Sequence, residues 1–495
     1  MTLQDTTLAQ MCATALARDP LQPALEFADT WVTWGELRRL ADRVAALVHE
    51  SGVGGSAPVV FVPRSRPSAV AAFLALLAQA RTVRMVYAFQ SPVGIARDVD
   101  RLEPELVIVA AEDFAPEVRD TLQASGAAVI LLSELDAQLA PGLERFGGRS
   151  QELQAAPEVQ ILTSGTTGPP KRFGMTHDMV ARHVVGANKN YQGALVDYTR
   201  EPPAFLYYPL GNISGISGLL PTLLRGHRAV LVERFSVDNW RNYLRRHRPE
   251  RTSLPPAGFQ MVLDANVPVE ELQGVRAVAT GAAPLEASVH RAFVQRFGIP
   301  VLLTYGATEF GGPVCSMTLE LHAEWGEAKL GSVGKPIAGA QLRVIDPETG
   351  AVLPAGQEGL LEVIAPRVGP SWIRTSDLAL IDADGFMFHR GRADGAIMRG
   401  GFKLLPETIE RALLQHASVS AACVVGVPEP RLGQVPVAAV QLKLGSLQPS
   451  AAELEQHLRD LVYATHIPVA WRFVAELPRT ASFKVDTAAV RSLFS

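Results

Sequence analysis

The sequence has little that would indicate a secreted or membrane-spanning protein. Its 495 residues include three cysteines, far apart and without a CxxC pair, so neither a disulfide framework nor a cysteine metal site is expected. The longest apolar run, residues 68–80, is shorter than the ~18 to 20 residues that cross a bilayer. The amino terminus lacks the basic start and apolar core of a signal peptide. We therefore expect a cytoplasmic protein with no membrane span.

Charge and metal-ligating residues are also sparse. Charged residues make up 19% of the chain and the formal net charge is -4, which argues against nonspecific nucleic-acid binding. The histidines form no HxxxH or His/Cys cluster, so we expect His177 and the other histidines to cap, pack or face solvent rather than to bind a metal ion. No GxGxxG follows a strand, and Ser214 is preceded by Asn212 where a hydrolase elbow has glycine. These absences exclude a dinucleotide-dependent oxidoreductase and an α/β-hydrolase.

What the sequence does contain is an alternation of short apolar strands and helical patterns. Thr33 and Glu36 form a capping box that opens an amphipathic helix ending at Gly52. The sequence predicts strands at 59–62, 105–110, 128–132, 229–232, 275–279 and 301–304, and further helices from Pro67 and over Leu285–Phe297. This alternation is typical of an α/β fold with a parallel sheet, in which ligands bind at the carboxyl ends of the strands.

The pattern changes from about residue 331, where glycine and proline punctuate short strands and indicate a small antiparallel or barrel-like unit. A compact mixed α and β segment follows, with helices predicted at Pro406–His416 and 451–463 and strands at 421–427, 436–442 and WRFVAEL. About a hundred residues suffice for a separate domain. We place the domain boundary near Arg392–Gly395, which gives domains 1–393 and 394–495.

The sharpest local signal is the string ILTSGTTGPPKR at residues 161–172. Its glycines let backbone N–H groups converge, its hydroxyls add donors and Lys171 adds positive charge, so the loop suits a polyphosphate. It is not the common P-loop, because Gly165 and Gly168 are only two residues apart and Arg172 stands where Ser or Thr would bind magnesium. Composition alone also allows a flexible loop between two strands.

Together with six further motifs, this loop resembles the adenylate-forming superfamily, which includes acyl- and aryl-CoA ligases and nonribosomal adenylation domains. The motifs follow in the family's order and span nearly the whole chain: GAAPL (281–285), YGATE (305–309), GSVGKP (331–336), TSDLALIDADGFMFHRGRAD (375–394), GGFKLLPETIE (400–410) and PRTASFK (478–484). The resemblance implies a large N-terminal domain with two α/β subdomains and a β-barrel-like unit, followed by a small, mobile α+β domain.

The resemblance also implies a two-step reaction that uses ATP, Mg²⁺ and CoA. A carboxylate attacks the α-phosphate of ATP to give acyl-AMP and pyrophosphate, and a thiol then displaces AMP. Residues implied for the β- and γ-phosphates are Thr163, Ser164, Gly165, Thr166, Thr167, Gly168 and Lys171. Residues implied for adenine are Gly281, Ala282, Ala283 and Pro284, with Tyr305 stacking beside Gly306. Thr308 would contact the α-phosphate, and Glu309 would help to hold Mg²⁺.

The remaining implied roles fall on the last quarter of the chain. Asp377 would accept hydrogen bonds from the ribose hydroxyls, and Arg392 would contact the ribose or a phosphate. Asp394 matches the hinge about which the small domain swings. Lys484 would stabilise the charge that develops during adenylation. In the second conformation, the pantetheine tunnel would be lined by Gly400, Gly401 and Phe402.

Three positions depart from the family pattern. Asn212 stands where an aromatic residue or His is common, so access of CoA is expected to differ. Phe483 replaces the Gly that usually precedes the catalytic lysine. Gly395 follows the hinge where a charged residue is common and should loosen it.

No Asp that could pair with an amino group occurs around 208–214, and no carrier domain follows in this sequence, so we expect a free-standing ligase for a fatty or other hydrophobic carboxylic acid. Residues expected to form the acyl wall are Tyr208, Asn212, Ser214, Gly258, Phe259, Gly311 and Gly312. The alternative is an acyl-AMP ligase that loads a carrier protein. A non-catalytic nucleotide sensor is disfavoured because Lys484 and Glu309 are present. The oligomeric state stays open, a homodimer included.

Overall fold

A computed structural model describes most of the chain and confirms an α/β fold. It describes residues 6–148, 155–163, 171–186, 201–393, 395–399, 402–459, 461–480 and 484–495, with backbone only at 162, 163, 171, 402 and 403. The chain divides into two compact units. The first comprises residues 1–165, 169–249 and 307–312, and the second comprises 166–168, 250–306 and 313–495. The predicted domain boundary near Asp394 falls inside the second unit and stays a prediction.

In the part of the first unit that the structure describes, there are eleven strands and eight α-helices. The strands are β1 (Pro23–Phe27), β2 (Thr30–Thr33), β3 (Val59–Val62), β4 (Val83–Met85), β5 (Leu106–Ala110), β6 (Ala128–Leu132), β7 (Ala137–Leu139), β8 (Glu158–Thr163), β9 (Lys171–Thr176), β10 (Ala204–Leu206) and β11 (Ala229–Leu231). The helices are α1 (Leu8–Leu16), α2 (Trp34–Glu50), α3 (Pro67–Ala78), α4 (Pro92–Asp100), α5 (Pro116–Ser125), α6 (His177–Met179), which continues as a π-helical turn (Val180–Val185), α7 (Ile213–Leu224) and α8 (Val237–His247).

A seven-stranded sheet, in the order β7-β6-β5-β3-β4-β8-β9, forms the centre of the first unit. The pairs among β6, β5, β3, β4 and β8 are parallel, as predicted, whereas β7 and β9 run antiparallel to their neighbours. Strand β3 is buried on both faces, because one face packs in the cluster of α1, α2 and α3 and the other in the cluster of α4 and α5. A second sheet has the order β10-β11-β1-β2.

Among its described residues, the second unit has fourteen strands and six α-helices. The strands are β12 (Arg251–Ser253), β13 (Ala277–Thr280), β14 (Val301–Ala307), β15 (Gly312–Ser316), β16 (Lys335–Pro336), β17 (Gln341–Ile345), β18 (Glu358–Ile364), β19 (Ile373–Ile381), β20 (Met387–Arg392), β21 (Ile397–Arg399), β22 (Phe402–Leu404), β23 (Val419–Glu429), β24 (Gly433–Leu442) and β25 (Trp471–Val474). The helices are α9 (Pro256–Asp264), α10 (Ala287–Phe297), α11 (Leu319–Trp325), α12 (Pro406–Leu413), α13 (Ala451–Arg459) and α14 (Thr487–Ser492).

Three sheets organise the second unit. The sheet β12-β13-β14-β15-β16 begins with parallel pairs, and the sheet β17-β18-β19-β20 is antiparallel throughout, as the glycine-punctuated sequence predicts. The last sheet pairs β22-β21-β24-β23 and adds β25 beside β24. It packs against α12 and α13 through a core that includes Leu404, Ile409 and Leu454.

The structure corrects several predicted helix bounds. The helix predicted from Leu285 begins at Ala287. The helix predicted to reach His416 ends at Leu413, because the N–H groups of Gln415 and His416 bond to carbonyls three residues earlier instead of continuing the α-helical pattern. The helix predicted over 451–463 ends at Arg459.

The three cysteines and His177 lie in the protein interior. Cys12, Cys315 and Cys423 are free and buried. Burial raises the pKa of the Cys315 thiol to about 12. His177 is 7% exposed and burial lowers its pKa to about 4, so the imidazole is neutral, as expected for a packing residue. The apolar helix α3 has 12 residues, and no helix in the described ranges has the length and apolarity of a bilayer span.

The capping box of α2 is confirmed and yields a stability prediction. Thr33 Oγ1 accepts the N–H of Glu36 at 3.2 Å, and the Glu36 carboxylate accepts the N–H of Thr33 at 2.8 Å. We expect Thr33→Ala to lower the free energy of unfolding by about 1 kcal/mol, measured as the urea midpoint. The control Asp42→Ala removes an exposed carboxylate from the same helix and should change stability much less.

Acid should weaken the same capping box. The hydrogen bond from the Thr33 N–H lowers the pKa of Glu36, so its stabilisation is present above the unfolded-state pKa and is lost as the pH falls through the folded-state value. An unchanged urea midpoint for Thr33→Ala at neutral pH would contradict the assignment.

Candidate active site

The strands on either side of the TSGTTG loop form a hairpin at the edge of the seven-stranded sheet. Strand β8 ends at Thr163, β9 begins at Lys171, and these two residues pair across the antiparallel ladder. The structure therefore brings the two ends of the loop together beside the carboxyl end of β8. The predicted phosphate residues Ser164, Gly165, Thr166, Thr167 and Gly168 lie outside the described residues, as do the side chains of Thr163 and Lys171.

A buried carboxylate, Asp377 on β19, is the centre of the best-defined part of the site. It is 8% exposed. The Tyr305 hydroxyl, on β14, donates to Asp377 Oδ2 at 2.5 Å. His389 Nε2, on β20, lies 3.3 Å from Oδ1, and Arg392 Nη1 lies 3.7 Å from the same oxygen. Three of the predicted nucleotide residues, Tyr305, Asp377 and Arg392, thus meet in one cluster, which His389 completes.

The cluster keeps Asp377 ionised. Burial raises the pKa of this carboxyl, but the hydrogen bond and charge of His389, the hydrogen bond from Tyr305 and the charge of Arg392 outweigh burial. The net result is a pKa below the ordinary value. Asp377 is therefore a charged acceptor at neutral pH, as the recognition of a diol requires.

Strand register explains why these side chains converge. Asp377 pairs with Arg392 across β19 and β20, and a register shift follows between Leu378 and Ala379, so that His389 pairs with Ala379. Sequence reasoning missed His389, because a histidine three residues before a predicted arginine does not by itself indicate a functional role. The pairing of β19 with β20 supplies the missing information.

Arg392 makes two further hydrogen bonds, one from its side chain and one from its backbone. Its Nη2 donates to Ser376 Oγ at 2.5 Å, and its backbone N–H donates to Glu407 Oε1 at 3.1 Å. Gly391 has φ +124, and a Cβ there would come within 2.7–3.0 Å of the Glu407 carboxyl group. Glycine is therefore needed at 391 for both conformation and space. Glu407, on α12, is a second residue that the sequence did not single out.

The segment predicted to contact adenine follows β13 at its carboxyl end. A Cβ on Gly281 would lie 2.3 Å from Thr304 Oγ1, so glycine is required for the close approach to β14. Ala282 has φ +69, a conformation that a non-glycine residue adopts only at a cost. Strained backbone of this kind is concentrated at ligand sites. Ala283, Pro284 and Gly306 lie in the described chain, and stacking of Tyr305 on adenine stays a prediction.

Thr308 and Glu309 occupy a 3₁₀ turn (Thr308–Phe310) immediately after β14. Glu309 is exposed and Thr308 is half-buried. The turn ends at Gly311 with φ +67, and Gly312 follows with φ +127, so both glycines have conformations that side chains disfavour. Within the described ranges, no group of three or more His, Cys, Asp or Glu could hold a metal ion by itself.

The predicted catalytic lysine lies on a hairpin near the end of the chain. The N–H of Thr480 donates to the carbonyl of Lys484 at 2.8 Å, and the N–H of Asp486 donates to that of Pro478 at 2.8 Å. The Lys484 side chain is exposed. Residues 481–483 lie outside the described residues, and so do Asp394, Gly400 and Gly401; for Phe402 only the backbone, in β22, is described.

The residues predicted for the acyl wall have varied surroundings. Asn212 Oδ1 accepts the N–H of Gly215 at 2.8 Å and caps α7, a structural role that the sequence analysis missed. The Tyr208 ring lies 4.4 Å from that of Tyr207. Ser214 is half-buried in α7 and Gly258 is buried in α9. Phe259 is fully buried and packs edge-on against Phe293 at 4.8 Å, which places it in the aromatic core.

Comparison with known proteins identifies relatives along almost the full length. The family model "AMP-binding enzyme" matches residues 12–371, and "AMP-binding enzyme C-terminal domain" matches 408–484. A sulfoacetate–CoA ligase of Cupriavidus necator is 31% identical over 97% of this chain and 96% of the relative. A 2-succinylbenzoate–CoA ligase of Bacillus cytotoxicus is 31% identical over 67% of this chain and 69% of the relative.

Solved structures agree in fold. ATP-bound MatB from Rhodopseudomonas palustris superposes with a TM-score of 0.79 at 24% identity, covering 99% of both chains. This agreement confirms the predicted fold class. Because the family models span most of the sequence and a relative at 31% identity covers nearly all of it, the chain belongs to the AMP-binding enzyme family, the adenylate-forming superfamily that its motifs resemble.

Proposed function

We propose that the protein is an ATP-dependent CoA ligase that converts a hydrophobic carboxylic acid into an acyl adenylate and then into its CoA thioester. The observation that carries nucleotide activation is the buried, ionised Asp377 with Tyr305, His389 and Arg392 around it. The thioester step is supported by full-length similarity to a relative named as a CoA ligase.

The Asp377 carboxylate binds the ribose diol in this proposal. Each carboxylate oxygen has about two lone-pair directions, so Oδ1 and Oδ2 can accept ribose hydroxyls while keeping their bonds to His389 and Tyr305. Arg392 adds a cation beside the same oxygens. His389 acts as a positioning residue, because it contacts Oδ1 of the carboxylate while Tyr305 bonds to Oδ2.

The remaining ATP contacts are assigned by motif. The loop Thr163–Lys171 holds the β- and γ-phosphates, Gly281–Pro284 accepts adenine, and Thr308 contacts the α-phosphate. The exposed Glu309 carboxylate fits Mg²⁺, which takes oxygen ligands from carboxylates and phosphates together. Bound Mg²⁺ supplies charge neutralisation for the phosphates.

The chemistry proceeds through two displacements. A substrate carboxylate oxygen bonds to the α-phosphorus of ATP, and the bond to pyrophosphate breaks. The CoA thiolate then bonds to the acyl carbon, and AMP leaves. Lys484 stabilises the negative charge that builds up in the first displacement, and its side chain lies exposed on the Pro478–Asp486 hairpin. The Asp394 hinge, with Gly395 behind it, serves the exchange between the two steps, after which Gly400, Gly401 and Phe402 line the thiol path.

A hydrophobic acid is the proposed substrate class. The segment 208–214 offers Tyr208, Asn212 and Ser214 but no carboxylate for an amino group, and Asn212 is already engaged as a helix cap. Gly311 and Gly312 leave space after Glu309. Named relatives act on sulfoacetate and on 2-succinylbenzoate, so these acids belong in any test of selectivity.

The direct test is product analysis. Purified protein incubated with ATP, Mg²⁺, CoA and a pool of aliphatic, aromatic and polycyclic acids, sulfoacetate and 2-succinylbenzoate should yield acyl-CoA, AMP and pyrophosphate by mass spectrometry. Acyl-AMP without acyl-CoA would instead indicate delivery to a carrier protein. Conversion of sulfoacetate alone would overturn the hydrophobic substrate class.

Lys484 allows the half-reactions to be separated. We expect Lys484→Ala to lower acyl-AMP formation by about 10² to 10³-fold, since it removes a charge needed only in the transition state. Conversion of supplied acyl-AMP with CoA should be largely unchanged. The control Lys443→Ala removes a cation whose ammonium group donates to the carbonyl of Ala417. Equal loss of both half-reactions would contradict the assignment.

The cluster around Asp377 predicts that its variants change KM for ATP selectively. Asp377→Asn should raise KM for ATP about tenfold or more, because a charged acceptor becomes a neutral amide. His389→Gln should produce a smaller rise, and neither variant should change KM for the acid. The control is Asp382→Asn. Asp382 lies in the turn between β19 and β20, and its carboxylate binds Lys329. Equal increases in both KM values would indicate a folding defect rather than nucleotide recognition.

A further inference from the structure

Two arginines lie on the same face of the seven-stranded sheet, next to the TSGTTG loop. Arg84 on β4 pairs with Val60 on β3 and with Gln160 on β8, and Arg172 on β9 pairs with Leu162. Because alternate residues of a strand face the same side, Arg84, Gln160 and Arg172 share the face that α4 covers. The two arginines are separated by one intervening strand, about 10 Å across the sheet, and by two residues, about 7 Å, along the strands, which their long side chains can bridge.

Both guanidinium groups have buried donors that lack an acceptor. Arg84 Nε and Arg172 Nη1 are inaccessible to solvent and have no hydrogen-bond partner among the described residues. Arg84 donates once, to the carbonyl of Leu102 at 3.3 Å. Burial and the neighbouring charge of Arg84 together lower the pKa of Arg172 to about 10, although the charge of Asp98 acts in the opposite direction. Unsatisfied buried donors are rare, and two on adjacent cations call for an acceptor.

The carboxylates nearby are already engaged. Asp98, 8% exposed on α4, accepts Arg97 Nε at 3.1 Å and Gln90 Nε2 at 3.1 Å, and pairs with Arg101 at 3.9 Å. Glu158 shares the sheet face with the arginines, but its carboxylate accepts Gln160 Nε2 at 3.0 Å. It also stands four residues from Leu162 along β8, about 13 Å. Asp98 is thus shared among Arg97, Arg101 and Arg172, and Arg84 adds a further positive charge next to Arg172.

We propose that Arg84 and Arg172 form a binding site for a phosphoryl anion on the α4 face of the sheet. A phosphoryl group carries up to two negative charges and three acceptor oxygens, so it satisfies the unpaired donors and offsets the surplus charge together. Two sources supply this chemistry: free phosphate or pyrophosphate, and the 3′-phosphate of CoA. Only the second source rests on the proposed function.

The first experiment uses inorganic phosphate as the probe. The Tm of the full chain is measured with increasing phosphate and, at equal ionic strength, with chloride. Phosphate should raise the Tm of the wild type, and Arg172→Gln and Arg84→Gln should abolish that rise. Without phosphate, Arg172→Gln should leave Tm unchanged or higher, because it removes repulsion between two cations.

Two further variants separate this site from other effects. Arg38→Gln removes an exposed arginine paired with Asp42 on α2 and should keep the wild-type response to phosphate. Lys171→Ala removes the cation of the TSGTTG loop, and this variant should keep at least part of the rise in Tm with phosphate. An Arg172→Gln protein that responds to phosphate as the wild type does would overturn the proposal. So would a phosphate-insensitive wild type whose Arg172→Gln variant has a lower Tm, since Arg172 would then be purely structural.

The second experiment identifies the source of the anion. If it is the 3′-phosphate of CoA, Arg172→Gln should raise KM for CoA about tenfold and leave KM for dephospho-CoA unchanged. If it is free phosphate or pyrophosphate, both KM values should stay the same and inhibition by pyrophosphate should weaken. A protein without ligase activity would fail this experiment yet still show the phosphate-dependent Tm, so failure of the proposed function is distinguishable from failure of the anion site.

Discussion

A carboxylate buried inside a protein needs donors around it, and Asp377 obtains them from two different sheets. Tyr305 comes from the β12–β16 sheet, whereas His389 and Arg392 come from the strand paired with its own. Desolvation alone raises the pKa of this carboxyl, and the hydrogen bonds of His389 and Tyr305 together with the charge of Arg392 reverse that effect. The hydrogen bond from Tyr305 thus both links the two sheets and helps to keep the charge that a nucleotide can use.

Arg64 is a partly buried cation whose charge is balanced by hydrogen-bonded carboxylates. Arg64 bonds to both oxygens of Asp113 at 2.7 and 2.8 Å and to Glu233 at 2.8 Å, and these carboxylates raise its pKa. Arg84 and Arg172 lie in the same unit without such partners, and burial lowers the pKa of both. The contrast between a cation with acceptors and cations without them in the same unit is the physical basis of the proposed anion site.

Local patterns predicted the fold class and most elements. The capping box of Thr33 and Glu36 opens α2 as predicted, and the apolar runs at 59–62 and 128–132 are β3 and β6. Helix ends were less predictable, because His416 is turned out of α12 by bonds that the helical pattern does not encode. The site was recovered in part: motifs identified Asp377 and Arg392, but neither His389 nor Glu407.

The sequence by itself determined the family and the order of its motifs, because capping, periodicity and glycine-rich loops are properties of contiguous residues. The tertiary structure decided which distant side chains meet. Only the pairing of β19 with β20 brings His389 to Asp377, and only the order β4-β8-β9 brings Arg84 towards Arg172. Strand register is set by packing across a whole sheet, and a one-residue slip would turn each of these side chains to the opposite face.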